Sequence, residues 1–588
     1  MNANKHAPEL SFYWLAFLLA LGLRLFQLGA AALTDIEAGW ALQALSLARG
    51  QAVILGAQPA YLLLTSLLFS VFKDTNFLAR LFPALAGSLL IWVPFYFQRW
   101  MGEAQWLRRA GVVMAFGLAI DPGLVSLSRQ VGSPLPALVF TLLFLAGLYH
   151  RRMVWAGFFA GMALLSGVAF LHGVLILGLS WGLYWLISRK FASPDNWESE
   201  ASPPTETLSA RSVRVAVLAF VLTLLFASTL FLQAPQGLGA LADTLPAYLK
   251  AWVTPSNIPV LRLPASLLVY QPLVLIFAIY GIVHAWFGET DNTITRQRTL
   301  GLSGWAFMGL LLPLFYAGRQ VGDVAWALIP LWALAAMVIG RTMLTEGDAT
   351  TRVVALCLAL LLFVLAVVGW INLLSIGRYQ AEVTVYWAII IGAFLLGLIA
   401  TLLVLAGWPS SAAKMGVVWS LCLILGLQLF SNTWGMGILR QNGVQELWVP
   451  PPATAQADLL LTTLTDLSNW NTGLRDRLEI VVLADSPALQ WALRDFPNTH
   501  FQTTLSSSGS PPVVITLKGT EEPQLTESYR GQDFVWRLYP GWPGVFPPNF
   551  INWLAFRQAP LGQDQIIVWA RADLFPGGSS PPTGNIVP

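Results

Sequence analysis

Charge is what this chain has least of. Only 11% of its 588 residues are Asp, Glu, Lys or Arg, against roughly 25% in soluble globular domains. With 56% hydrophobic residues it has too little polar surface to dissolve as a string of soluble domains. Cysteine is nearly absent. Cys357 and Cys422 each lie inside an apolar run and read as buried thiols, implying neither a disulfide nor a metal site. A net charge of +3 is too small to imply a nucleic-acid partner. His172 and His284 have no ligand-spaced partner and read as packed or interfacial histidines.

Long apolar runs are plentiful, and they describe an all-α polytopic membrane protein. About 20 apolar residues cross a bilayer as a helix, which predicts about thirteen transmembrane helices. They fall near 10–32, 78–98, 110–128, 134–150, 153–168, 170–188, 213–232, 264–287, 299–317, 321–340, 353–374, 383–407 and 415–434. The run 59–72 is too short to span comfortably and is expected to be interfacial or re-entrant. Composition turns polar and Pro-rich after Asn432, so residues 1–434 are expected to form the membrane part and 435–588 a soluble domain. The loop 189–211, with Ser-Pro-Asp and Ser-Pro-Pro, is expected to be flexible.

Basic residues set the expected orientation. With a cytoplasmic N-terminus, inside turns collect Arg108, Arg109, Arg151, Arg152, Arg296 and Arg298, and outside turns are poorer in cations. The segments 33–77, 128–134 and 233–263 and the C-terminal domain then lie outside the cytoplasm. The tryptophans read as membrane-interface anchors.

The first outside segment runs Leu33-Thr34-Asp35-Ile36-Glu37-Ala38-Gly39-Trp40, and Ala38, Ala41, Leu42, Leu45 and Ala48 continue at helical spacing. That predicts an amphipathic helix on the outer bilayer face. Thr34-x-x-Glu37 has the form of a capping box. Two carboxylates at the end of a span in a charge-poor protein also suggest a site.

These residues resemble the GT-C superfamily of membrane glycosyltransferases, in the branch of the protein O-mannosyltransferases and lipid A aminoarabinose transferases. Arg24 in the first span, the acidic Asp35-Ile36-Glu37-Ala38, Gln58-Pro59-Ala60-Tyr61, Ala79-Arg80-Leu81-Phe82-Pro83-Ala84-Leu85, Arg108-Arg109 and Pro122 carry the resemblance. There are two departures. Ile36 separates the two acids, and no acid follows Arg129 in Ser128–Pro134. Asp121, beside Pro122, could substitute only if the helix unwinds there.

The resemblance implies a GT-C-like fold with an extracytoplasmic C-terminal α/β domain. It also implies transfer of a sugar from a polyprenyl-phosphate donor to an extracytoplasmic acceptor, whether protein, lipid or polysaccharide. A lipid phosphate leaves as a stable anion, so the second carboxylic acid of glycoside hydrolysis is not required. One carboxylate can take the acceptor's proton. Asp35 is the candidate base, with Glu37 orienting it or the acceptor, or capping the helix. Arg129 and Arg319, cations in short outside turns, are the candidates for the lipid phosphate. No cofactor is implied beyond a candidate divalent metal at Asp35 and Asp121.

In the C-terminal part, 478–484, 512–517, 534–538 and 565–569 read as strands, and Asp485-Ser486-Pro487 starts a helix through about Phe496. The domain shows no phosphate loop or nucleophile elbow and is read as an acceptor-guiding or partner-binding lid. Two alternatives to a glycosyltransferase remain: a lipid or glycan transporter, which should show intramembrane charges and repeats, and a non-catalytic scaffold of the same fold.

Overall fold

A backbone in lipid must satisfy its own N–H and C=O groups, so the apolar runs fold as helices. The computed structural model describes residues 7–575 except 103, 192–208, 288–292, 343–347, 379–382, 442, 506–509 and 520–524. Most of the loop 189–211 lies outside the described residues.

Among these residues, eight helices are long and apolar enough to cross a membrane, or ten if each of two bent pairs is one span. The other three predicted spans are helices as well: Ala7–Leu25 of 19 residues, and the shorter apolar helices Leu135–Tyr149 of 15 and Met153–Leu165 of 13. The short run after Gln58 is a helix, Pro59–Val71. Val321–Thr342 is buried almost throughout and forms the centre of the bundle, while Val383–Gly407 is exposed along its length and faces lipid.

Both bent pairs break at a proline, which offers no N–H to the helix ladder. Gln105–Ile120 and Pro122–Ser128 meet at 54°, and Arg262–Tyr270 and Pro272–Phe287 at 98°. The helix does unwind at Asp121, which caps the second segment through Leu124 N at 2.9 Å. The two breaks touch, because Gln271 Nε2 donates to Asp121 Oδ1 at 3.2 Å.

The C-terminal part carries a six-stranded mixed sheet. Its strands are β1 (Ala453–Thr454), β2 (Ile480–Val482), β3 (Thr499–Phe501), β4 (Val513–Leu517), β5 (Tyr529–Pro540) and β6 (Leu561–Arg571), in the order β1-β5-β6-β4-β2-β3. β3, β2 and β4 are parallel and the other pairings are antiparallel. The helix joining β2 to β3 is Pro487–Ala492, capped by Ser486 and shorter than predicted. The helix Ala457–Thr472 was not foreseen.

This sheet does not stand apart from the first loop. Leu33, Ala38, Ala41 and Ala44 share one hydrophobic core with Leu460, Leu489, Trp491 and Phe534. The apolar face of helix Asp35–Ala48, expected to rest on lipid, is covered by protein.

Candidate functional site

Helix Asp35–Ala48 starts in the capping box that its sequence announced: Glu37 N donates to Thr34 Oγ1 at 3.3 Å, and Thr34 N to Glu37 Oε2 at 3.1 Å. Successive helical residues are about 100° apart, so Asp35 and Glu37 project from nearly opposite faces. Ile36 is therefore more than a spacer: it sends the two acids to different places.

Glu37 is locked to Arg80. The guanidinium makes two contacts, Nε to Oε1 at 2.9 Å and Nη2 to Oε2 at 2.7 Å. Val131 N also donates to Oε1, at 3.1 Å. Arg80 spends its remaining donors on the carbonyls of Leu28, Ala31 and Ala32. Burial opposes the charged form of Glu37, but Arg80's charge and hydrogen bonds, with the two backbone N–H groups, hold it below the usual carboxylate range.

Asp35 faces the C-terminal domain. Its Oδ2 accepts Arg537 Nε at 2.7 Å, and its Oδ1 accepts Ser486 Oγ at 2.5 Å and Ala488 N at 3.1 Å. Nearby, Arg494 grips Asp74 at 3.2 Å and Trp491 Nε1 donates to Asn76 Oδ1 at 2.7 Å. In this arrangement Asp35 is a docking point for the domain.

A cavity of about 90 Å³ opens at this end of the bundle, lined by Glu37, Arg80 and Arg129 but not Asp35. Arg129 caps helix Ala7–Leu25, its Nη1 donating to the carbonyls of Leu23, Arg24 and Phe26 and its Nη2 to Gln27 O. A cation there also meets the negative end of the helix dipole. Burial, helped by Arg80's charge, lowers its pKa to about 10, so it stays cationic at neutral pH.

Asp121 is fully buried, and both its oxygens accept N–H groups: Oδ1 from Leu124 and Gln271, Oδ2 from Trp332 Nε1 at 2.8 Å. Among the described residues no three His, Cys, Asp or Glu side chains gather as metal ligands. With Asp35 and Asp121 each saturated by N–H and O–H donors, this arrangement does not fit a divalent ion at either.

Arg319 lies elsewhere at the same end. Its Nη1 reaches Ile258 O at 3.5 Å, and its Nε is buried without a partner. Three residues before it, Tyr316 packs against His172 (ring centroids 4.9 Å apart), Trp252 (5.1 Å) and Tyr248 (5.8 Å). His172 is 1% exposed, yet neither ring nitrogen has a partner. Tyr248, whose ring also meets His172 and Trp252, makes no well-formed hydrogen bond through its Oη. Asp323 stands at the edge of this cluster, its Oδ2 capping the turn Val321–Val324 through Gln320 N at 2.8 Å. Sequence reasoning singled out Arg319 and set His172 aside as packed. The structure adds Tyr248, Trp252, Tyr316 and Asp323. The one available signal was Tyr316, Arg319 and Asp323 recurring around a short turn between two spans.

No protein-family model matches the sequence, and no curated protein matches it. Among solved structures, ArnT from Cupriavidus metallidurans, crystallised with undecaprenyl phosphate, is similar at 15% identity and a TM-score of 0.54, covering 98% of this chain and 100% of that one. The Archaeoglobus fulgidus oligosaccharyltransferase tethered with an acceptor peptide is similar at 14% identity and a TM-score of 0.37, over 85% of this chain and 64% of that one. The first likeness shows the fold alone: this chain shares the architecture of that ArnT structure.

Proposed function

We propose that this protein is an integral-membrane glycosyltransferase that takes a polyprenyl-phosphate-linked sugar and passes the sugar to an acceptor outside the cytoplasm. The end of the bundle that carries the C-terminal domain then faces outward. One observation carries the reading. Buried polar atoms without partners are rare; His172 Nδ1, His172 Nε2 and Tyr248 Oη are three of them in one aromatic cluster, and Arg319 Nε, three residues along the chain from Tyr316, is a fourth. An anionic phosphate answers the Arg319 donor, a sugar face stacks on Tyr248, Trp252 or Tyr316, and sugar hydroxyls answer His172. The fold shared with ArnT, solved with undecaprenyl phosphate, supports the same donor class.

Asp35 is proposed as the base. A lipid phosphate leaves without a proton, so the acceptor hydroxyl's proton is the one that needs a taker. Asp35 must first be relinquished by Arg537 and Ser486, through a shift of the C-terminal domain at β5 and helix Pro487–Ala492. No step is routed through a metal.

A second reading, a scaffold that binds the lipid-linked sugar without transferring it, is favoured by one fact: every oxygen of Asp35 and Glu37 already accepts a hydrogen bond.

Both readings require donor binding. Charge-assisted contacts contribute about 1.5–3 kcal/mol each, so Arg319→Ala is expected to weaken a polyprenyl-phosphate analogue about ten- to a hundred-fold in lipid nanodiscs, with Arg319→Lys partly restoring it. Arg129→Ala should do less, since its donors serve helix Ala7–Leu25. Unchanged affinity in a folded Arg319→Ala protein removes the cluster from the site. Transfer abolished by Asp35→Asn separates enzyme from scaffold.

A further inference from the structure

A second, larger cavity lies at the opposite end of the bundle from the C-terminal domain. It is a groove of about 760 Å³, within the ordinary range for ligand sites. Its wall includes Phe97, Trp100, Trp181, Tyr184 and Trp305, and Arg298 stands at its rim, stacked over the Trp100 ring at 5.8 Å. The groove runs inward along helices Val168–Phe191 and Thr293–Phe315 to Ile329 and Ala333, near the middle of the central helix.

The helices that line the groove also carry the aromatic cluster at their other ends, but the two sites are separated. Trp326 is fully buried against Gly173, where an added Cβ would sit 1.9 Å from the indole ring. Gly173 lies between His172 and Leu177, and Trp326 between Asp323 and Ile329, so this contact divides the cluster from the groove along both helices. A ligand in the groove therefore enters from the end away from the C-terminal domain.

We infer that the groove binds a two-chain anionic glycerophospholipid from the bilayer leaflet at that end. Its apolar wall suits acyl chains. Arg298 at the rim suits a phosphate, and an indole beside a guanidinium is a common lipid-headgroup interface. Trp305, two turns further along the helix, has a buried Nε1–H with no acceptor.

The test is native mass spectrometry of the full chain, titrated with phosphatidylglycerol and, in parallel, phosphatidylcholine of the same chains. The wild-type protein is expected to bind one phosphatidylglycerol about ten-fold more tightly than phosphatidylcholine. Ala333→Phe, which fills the inner end of the groove, should abolish that site. Arg298→Gln should erase the preference, and Arg319→Ala should leave it intact. Equal affinity for the two lipids in the wild-type protein overturns the inference without any variant. So does displacement of phosphatidylglycerol by a polyprenyl phosphate, which would assign the groove to the donor's tail, and so does wild-type binding in a folded Ala333→Phe protein. Because Arg319 lies beyond the Trp326–Gly173 contact, failure here leaves the proposed donor site standing, and the reverse also holds.

Discussion

Glu37→Ala is expected to destabilise the protein far more than the loss of a helix cap. A capping side chain is worth about 1 kcal/mol. Here the substitution also removes both Arg80 contacts and the acceptor of Val131 N. Arg80, 6% exposed, is left with carbonyl partners only. Breaking a buried ion pair from one side typically costs about 3–5 kcal/mol, and that is the expected fall in unfolding free energy for purified protein in micelles. The pH dependence has a definite sign. The folded-state pKa of Glu37 lies below the ordinary 4.5, so its contribution is complete above that value and is lost as pH falls from it through the folded pKa. Wild-type stability should therefore drop on acidification below about pH 4.5, with a smaller drop in Glu37→Gln. A loss of about 1 kcal/mol in Glu37→Ala, with the wild-type pH profile unchanged, would reduce Glu37 to a cap and refute the ion-pair account.

Other consequences can be measured separately. Asp35→Ala and Arg537→Ala should each loosen the C-terminal domain, seen as faster hydrogen exchange in helix Pro487–Ala492, and a double-mutant cycle should show coupling of about 0.5–3 kcal/mol; additivity would deny the contact. Gly173→Ala should destabilise by about 1–3 kcal/mol, because the buried Trp326 ring cannot yield to a methyl group; a neutral effect would mean the ring moves. Reporter fusions at Met1 and Pro588 should label opposite sides of the membrane, and labelling on one side would overturn the orientation proposed for the site.

What was legible in the sequence was whatever repeats locally. Apolar runs, a Thr-x-x-Glu box, a proline after Asp121 and alternating β residues each act within a few positions, so the helices, the capped turn, the break and four of the strands could be placed. Each of the thirteen predicted runs is a helix or a bent helix pair, two of them only 13 and 15 residues long. The partners of the candidate acids were not legible. Arg537 meets Asp35 across 502 positions and Trp491 meets Asn76 across 415, and no periodicity links such residues. The aromatic cluster was hidden for the same reason, since His172, Tyr248 and Tyr316 converge from three separate segments.

The central claim is that the donor's phosphate sits at Arg319 among His172, Tyr248, Trp252 and Tyr316. A cryo-electron microscopy structure of the protein in nanodiscs with a polyprenyl phosphate tests it most directly. The account predicts phosphate density within hydrogen-bonding distance of Arg319 Nε, with the lipid head group meeting a His172 nitrogen. Phosphate density beside Arg129 and Arg80 instead, with the Arg319 cluster unchanged, would contradict it.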